Sequence, residues 1–241
     1  MDTPTRRSTA PGPVTPRVAL RRGTARGDYD PTTIRSILAD GLIAHVGVDT
    51  PDGPLVLPMA YGTGTSRAGE EVLYLHGALA NGLLAAADGR EVCVTVTIVD
   101  GLVIARTPLH NSMNYRSVVI RGTARLVTDP DEHREALRSI TDHVVANWED
   151  GRPPSARDLR KTLVVAVPTD EASAKVRTGD PVDEPADVAG GHWAGTVPLV
   201  ATWGTPVAST DLRSSAVRPS SRITALTGTC VEGRSDAQDS A

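Results

Sequence analysis

Asn111-Ser-Met-Asn-Tyr-Arg-Ser-Val-Val-Ile-Arg-Gly122 opens as a polar segment carrying Ser112, Asn114, Tyr115 and Arg116, then runs without a break into Val118, Val119 and Ile120. The second half reads as a buried strand, so the hydrogen-bonding groups of the first half are fixed to rigid backbone at a strand entrance. Strands place side chains more accurately than free loops, and a cluster of donors so placed suits a small anionic ligand. A structured turn is the other reading of the same residues.

The flanking chain is also rich in strands. Upstream, Glu91 to Arg106 holds two β-rich runs joined by Asp100-Gly101, a hairpin signal, with Thr95 and Thr97 on one face with Cys93. Asp30 to Gly41 begins with an Asp cap and Pro, spaces Ile34, Ile37 and Leu38 helically and ends in Gly, which predicts a short amphipathic helix. Gly41–Asp49 and Pro54–Tyr61, separated by Thr50-Pro-Asp-Gly53, read as a hairpin. In it His45 reads as an ordinary, partly buried histidine with no second metal-type ligand nearby, and Pro58, lacking an N–H, marks an edge, a bulge or an opened ladder.

Glu71–Gly77 predicts a third strand and Ala78–Ala87 a small-residue helix, placing His76-Gly77 at a strand-to-helix junction. Unpaired N–H groups there could hold a phosphate, or the junction is a plain connection. Downstream, Pro130–Trp148 has the apolar period of a helix with Asp131 and Glu132 in its first turn. His133 and His143 lie ten apart on it, which is not the spacing of a helical metal pair. Thr162–Val167 is an unbroken apolar run expected at the centre of a sheet. Lys175 and Arg177 fall just beyond it, either facing an anion or solvated, and Trp193–Trp203 reads as a last strand. About seven or eight short strands with few helices between them favour a mainly β fold with flanking helices, a closed or split antiparallel barrel.

Composition narrows the partners. A chain of 241 residues supports a single domain. We place that domain at 28–212, between a basic, Pro- and Gly-rich arm at 1–27 and a Ser- and Thr-rich tail at 213–241, both expected to be disordered. A net charge of −4 and 3% aromatic residues with no Phe argue against nucleic acid, which is bound by dense basic faces and stacking platforms. Cys93 in an apolar run and Cys230 in a polar tail give no support for a disulfide. No apolar run approaches the ~20 residues of a membrane span, and no leader core follows the N-terminal arginines, so a cytoplasmic chain without membrane contact is expected. Dinucleotide, phosphate-loop, serine-hydrolase and zinc motifs are absent, and no metal is expected.

Seven short motifs now stand in order: Leu57-Pro-Met-Ala-Tyr61, Leu73-Tyr-Leu-His-Gly77, Val92-Cys-Val-Thr-Val-Thr97, Asp100-Gly-Leu-Val-Ile-Ala-Arg106, Ser112-Met-Asn-Tyr-Arg-Ser-Val118, Ala172-Ser-Ala-Lys-Val-Arg-Thr-Gly179 and Trp193-Ala-Gly195. In this order they resemble the pyridoxamine 5'-phosphate oxidase-related flavin-binding proteins, the branch that includes nitroimidazole-resistance proteins. The resemblance implies an FMN-binding split β-barrel of antiparallel, Greek-key type, usually a homodimer with FMN in the groove between subunits. It implies that Pro58, Met59, Ala60 and Tyr61 offer backbone groups to the flavin edge and that His76 and Gly77 sit beside the cofactor. Thr95 and Thr97 would lie near the ribityl chain or phosphate. Ser112, Asn114, Tyr115 and Arg116 would close the pocket, and Trp193 would reach towards the ring.

Relatives carry a Ser and a cation after the His-Gly, where this chain has Ala78 and Asn81-Gly82, so either Arg106, Arg116 or Lys175 takes over the phosphate or the affinity for FMN is reduced. The His-His pair of relatives is here His110-Asn111. Two functions follow from the resemblance. One is an FMN-dependent oxidoreductase acting on a small molecule such as a nitro-compound, a quinone or a pyridoxal-like amine. The other is a non-catalytic binder or sensor of FMN, a deazaflavin coenzyme or haem. His76 would serve the first as an acid beside the flavin and the second as an axial haem ligand.

Overall fold

A computed structural model describes residues 14–214 and 216–231. In chain order the elements are β1 (Gly27–Asp28), α1 (Pro31–Asp40), β2 (Ala44–Thr50), β3 (Gly53–Met59), β4 (Tyr61–Thr65), β5 (Glu71–Ala78), α2 (Gly82–Ala87), β6 (Glu91–Ile104), β7 (Ser112–Thr123) and β8 (Arg125–Leu126). They continue with α3 (Pro130–Val144), α4 (Ala156–Arg160), β9 (Thr162–Pro168), β10 (Ala172–Arg177), α5 (Pro185–Val188), β11 (Gly195–Pro198) and α6 (Ser221–Ala225). Every strand pairing is antiparallel. The strands form two sheets, ordered β1-β10-β7-β6-β2-β3 with β11 added on β6, and β4-β5-β9-β8. The sheets do not join into a closed ring, and the fold is a split β-barrel.

The core lies between the sheets. Val46, Val94, Val96, Val118 and Ile120 of the larger sheet meet Leu73, Leu75, Val165 and Val167 of the smaller one. On the other side of the smaller sheet, Val72, Tyr74, Val164 and Ala166 pack under Ala136 and Ile140 of α3. Strands β5 and β9 are therefore buried on both faces, which is why Thr162–Val167 has no polar alternation.

The predicted hairpin is present, but its second arm is two strands. The chain leaves the larger sheet after Met59 and enters the smaller one at Tyr61, so Ala60 is the crossing point. Pro58 lies on β3, the edge strand, where a missing N–H costs no ladder bond. The Asp100-Gly101 hairpin is absent. Strand β6 runs straight through it beside β7, and the surplus residue is taken up as an irregularity between Val99 and Gly101. Glycine is needed there because β11 crosses close by: a Cβ on Gly101 would lie 2.6 Å from the Val197 carbonyl oxygen. The helix predicted from Ala78 starts only at Gly82, capped by the Asn81 side chain, and Ala172–Arg177 is a strand in its own right.

Helix α3 rests directly on β4. A Cβ on Gly62 would lie 2.5 Å from Ser139 Oγ and 2.6 Å from the Ile140 backbone nitrogen, and Ser139 Oγ donates to the Thr63 carbonyl at 2.7 Å. Gly62→Ala must push the helix off the sheet and is expected to cost about 2 kcal/mol. A urea titration measures this as a lowered midpoint at unchanged slope; an unmoved midpoint would show that α3 has room to shift.

Part of the expected N-terminal arm packs. Val18 is buried, Arg17 pairs with Glu91 and Glu171, and Gly27–Asp28 adds β1 to the sheet edge. Towards the other end, Ser221–Ala225 is helical and Thr202 bridges Cys230. The remainder of the two predicted disordered segments, residues 1–13 and 232–241 with Ser215, lies outside the described residues.

Candidate functional site on the outer face of the larger sheet

Alternation along β6 sends Val92, Val94 and Val96 into the core and leaves Cys93, Thr95 and Thr97 pointing outward. The same alternation on β7 buries Val118 and Ile120 and turns Ser117 and Val119 out, while on β10 register alone places Ser173, itself buried, and Lys175, half-buried, on the same side. Register then joins these strands into rows. Thr97 lies opposite Ser117 and Ser117 opposite Lys175, while Thr95 lies opposite Val119 and Val119 opposite Ser173. Residues directly opposite one another hold their Cβ atoms ~5 Å apart, so Thr97, Ser117 and Lys175 form one polar row, from which the Lys175 side chain runs on to Gly23, where a Cβ would lie 3.7 Å from Nζ. Ser117 Oγ donates to the Lys175 carbonyl at 3.3 Å. No carboxylate pairs with the Lys175 ammonium among the described residues.

The other sequence-predicted residues are distributed differently. Arg116 sits on the barrel side of β7, opposite Ile98, and is bound by two carboxylates: Nη1 to Asp40 at 2.6 Å and Nη2 to Asp100 at 2.8 Å. Asp40 is buried at the C-terminal end of α1, where the helix dipole is unfavourable to a carboxylate, and this arginine offsets its charge. Tyr61 is completely buried, its hydroxyl lying 2.7 Å from the Leu38 carbonyl and 3.0 Å from that of Gly41, and its ring 4.4 Å from the His143 ring. Its backbone pairs with Leu75. Arg106 binds Asp183 through Nη1 at 2.9 Å, while its buried Nε finds no partner.

Asn114 donates to the Gly179 carbonyl at 3.2 Å and accepts from Arg177, itself buried and bonded to the carbonyls of Gly179 and Asp180. Ser112 and Tyr115 are half-buried on β7, opposite Val103 and Val99. Trp193 is exposed and lies over Gly195, where a Cβ would meet Cζ2 at 3.0 Å. Pro58 borders the outer face on β3, opposite His45, whereas Met59, opposite Ala44, packs against the core.

His76-Gly77 is not a helix N-terminus. Both residues stay in β5, opposite Val164 and Leu163, and α2 begins after them with only six residues. His76 projects on the α3 side with Val72 and Tyr74, and its Nδ1 is buried without a hydrogen-bond partner. Burial pushes its pKa below the ordinary histidine value, so the ring is held neutral. Sequence reasoning passed over Ser117 because it stands between Arg116 and the apolar run; the period of two along β7 is the signal that finds it. A separate cavity of about 850 Å3 opens between α1, β4 and the β9–β10 turn, walled by Tyr29, Ile34, Leu38 and Val72, and none of the predicted site residues lines it.

Two antiparallel sheets that do not close into a ring define a split barrel of known type. The chain belongs to the pyridoxamine 5'-phosphate oxidase family, whose model matches residues 30–176. Among solved structures it is similar to the flavocytochrome Anf3 from Azotobacter vinelandii, at 33% identity and a TM-score of 0.78, over 89% of this chain and 98% of that one. It is also similar to the FAD and haem binding protein from Mycobacterium smegmatis, at 28% identity and a TM-score of 0.77, over 86% of this chain and all (100%) of that one. A putative 5-nitroimidazole antibiotic resistance protein from Bacteroides thetaiotaomicron aligns at 28% identity and a TM-score of 0.50, over 62% of this chain and 86% of its own length. No curated protein sequence matches. No helix among the described residues is long and apolar enough to cross a membrane.

Proposed function

We propose that the chain is a flavin-nucleotide-binding redox protein whose outer strip of Thr95, Thr97, Ser117 and Lys175 seats the flavin phosphate and ribityl chain. The observation that carries this reading is the row Thr97–Ser117–Lys175, two hydroxyls and a cation without a carboxylate partner, held in register by three paired strands. A phosphate needs such a set, because a bound anion without cation or donors is costly. Lys175, of the three cations the resemblance offered, is the one left for it: Arg116 and Arg106 are engaged by Asp40, Asp100 and Asp183.

Haem is a second cofactor in this reading, and His76 would be the residue that holds its iron. A neutral imidazole with a sealed, unpartnered nitrogen fits that role, since the ligating form is the unprotonated one. The near end-to-end likeness to a flavocytochrome and to an FAD and haem binding protein supports it. Bound flavin supplies hydride or single-electron chemistry and haem single-electron chemistry; the protein supplies orientation and exclusion of water. A small molecule such as a nitro-compound, a quinone or a pyridoxal-like amine is the class of redox partner proposed.

Lys175→Ala is expected to weaken FMN binding about tenfold or more, through loss of a charge-assisted contact. Quenching of flavin fluorescence on titration measures it. An unchanged dissociation constant would remove the phosphate from this strip.

A further inference from the structure

We infer that His45 is a further ligand-contacting residue of the outer face, a hydrogen-bonding side chain beneath the ring end of the flavin. The inference rests on the reading above, and it reverses the sequence-based view of His45 as an ordinary, partly buried residue. On β2, Ala44, Val46 and Val48 enter the core, and His45 between them is exposed on the outer side. It lies opposite Thr95 on β6 and opposite Pro58 on β3. The row Pro58–His45–Thr95–Val119–Ser173 therefore crosses the sheet beside the row that ends in Lys175. No hydrogen bond or ion pair engages the His45 ring among the described residues.

The ground next to His45 has the shape a planar ring system needs. The next outward position on β2 is Gly47, which bears no side chain although a Cβ there would make only ordinary contacts, at 3.6 Å to the Cys93 carbonyl and to Val56. Around this bare spot stand Val56 and Cys93, opposite Gly47, and Pro58. A flat apolar ledge edged by one imidazole and one hydroxyl offers stacking area and directional hydrogen bonds together. Neutral imidazole carries one donor and one acceptor, and the pyrimidine edge of a flavin alternates the two. From β2 to β10 is three strand spacings, ~14 Å at ~4.8 Å each. That is room for a ribityl phosphate between ring and Lys175.

The test uses the full chain with two ligands: FMN, and riboflavin, which lacks the phosphate. His45→Ala is expected to weaken both about tenfold and to shift the visible bands of the bound flavin, while His45→Gln, which keeps a donor and an acceptor, stays within about threefold of wild type. Lys175→Ala should weaken FMN but leave riboflavin binding unchanged. If His45→Ala binds both ligands like wild type with an unaltered spectrum while Lys175→Ala weakens FMN, the inference is overturned and the flavin face stands. If wild type takes up neither ligand, or Lys175→Ala changes nothing, the reading of the face falls and the inference with it. His45 is exposed, so both variants should melt as wild type does by circular dichroism; this keeps the binding result interpretable.

Discussion

Arg116→Ala is expected to destabilise the chain by about 3–5 kcal/mol, the range for removing one member of a buried ion pair and stranding the other. The Arg116 side chain is only 22% exposed, and its guanidinium holds the Asp40 side chain, 8% exposed, on one side and that of Asp100, 23% exposed, on the other. Truncation leaves the Asp40 carboxylate buried at the negative end of α1 and frees Asp100 at the irregularity of β6, loosening both the helix and the long strand pair. Urea unfolding of the ligand-free protein gives the size of the effect. Adding Asp40→Asn to the variant should recover part of the loss, because the stranded charge is gone. A variant as stable as wild type would show that the two aspartates find other partners. The sequence alone makes Arg116 the first candidate for a phosphate anchor; with two carboxylates on its guanidinium, its loss is expected to register in stability, and Lys175→Ala in flavin affinity.

His76→Ala is expected to abolish the Soret band of the haem-reconstituted protein while leaving the flavin bands in place, because haem and flavin are proposed on different sheets. A methyl group cannot ligate iron, so retention of haem through washing should be essentially lost. Retention of the wild-type Soret band would remove His76 from the haem site. The same residue predicts a pH dependence in the haem-free protein. Burial lowers the folded-state pKa below the unfolded value, so near pH 6.5 and below the unfolded chain binds more protons at this position. Its contribution to stability is therefore fully present above the ordinary histidine range and is lost as the pH falls through it. Urea midpoints between pH 7.5 and 5.5 should drop less in His76→Gln than in wild type; equal drops would place the dependence elsewhere.

Much of the fold was legible because its signals are local. Asp30-Pro starts α1 as predicted, with the Asp30 side chain accepting a backbone N–H bond, and α3 starts at Pro130 as predicted, with a cap from Asp129 that the structure adds. Those bonds need only a few residues of context. The alternation of Val92, Val94 and Val96 against Cys93, Thr95 and Thr97 likewise marks which side of β6 is buried before any partner strand is known. What failed were inferences about turns. Asp100-Gly101 carries the chemistry of a hairpin but serves a continuous strand, because β7 and β11 flank it and outvote local preference. His76-Gly77 looks like a strand end but pairs with β9, which lies more than eighty residues on in the chain.

Residue types and spacing by themselves therefore determined the β-rich class, the starts of the two longer helices, the family resemblance and a set of polar residues around a strand entrance. The tertiary structure decided which members of that set face one another. Register across β2, β6, β7 and β10 gathers His45, Thr95, Thr97, Ser117 and Lys175 on one face. The same β7 turns Arg116 inward to Asp40 and Asp100, and β5 carries His76 to the other sheet. The physical reason is that a strand's period of two tells only that neighbours point opposite ways. Which side becomes core, and which charge is cancelled there, is set by strands and helices distant in the chain.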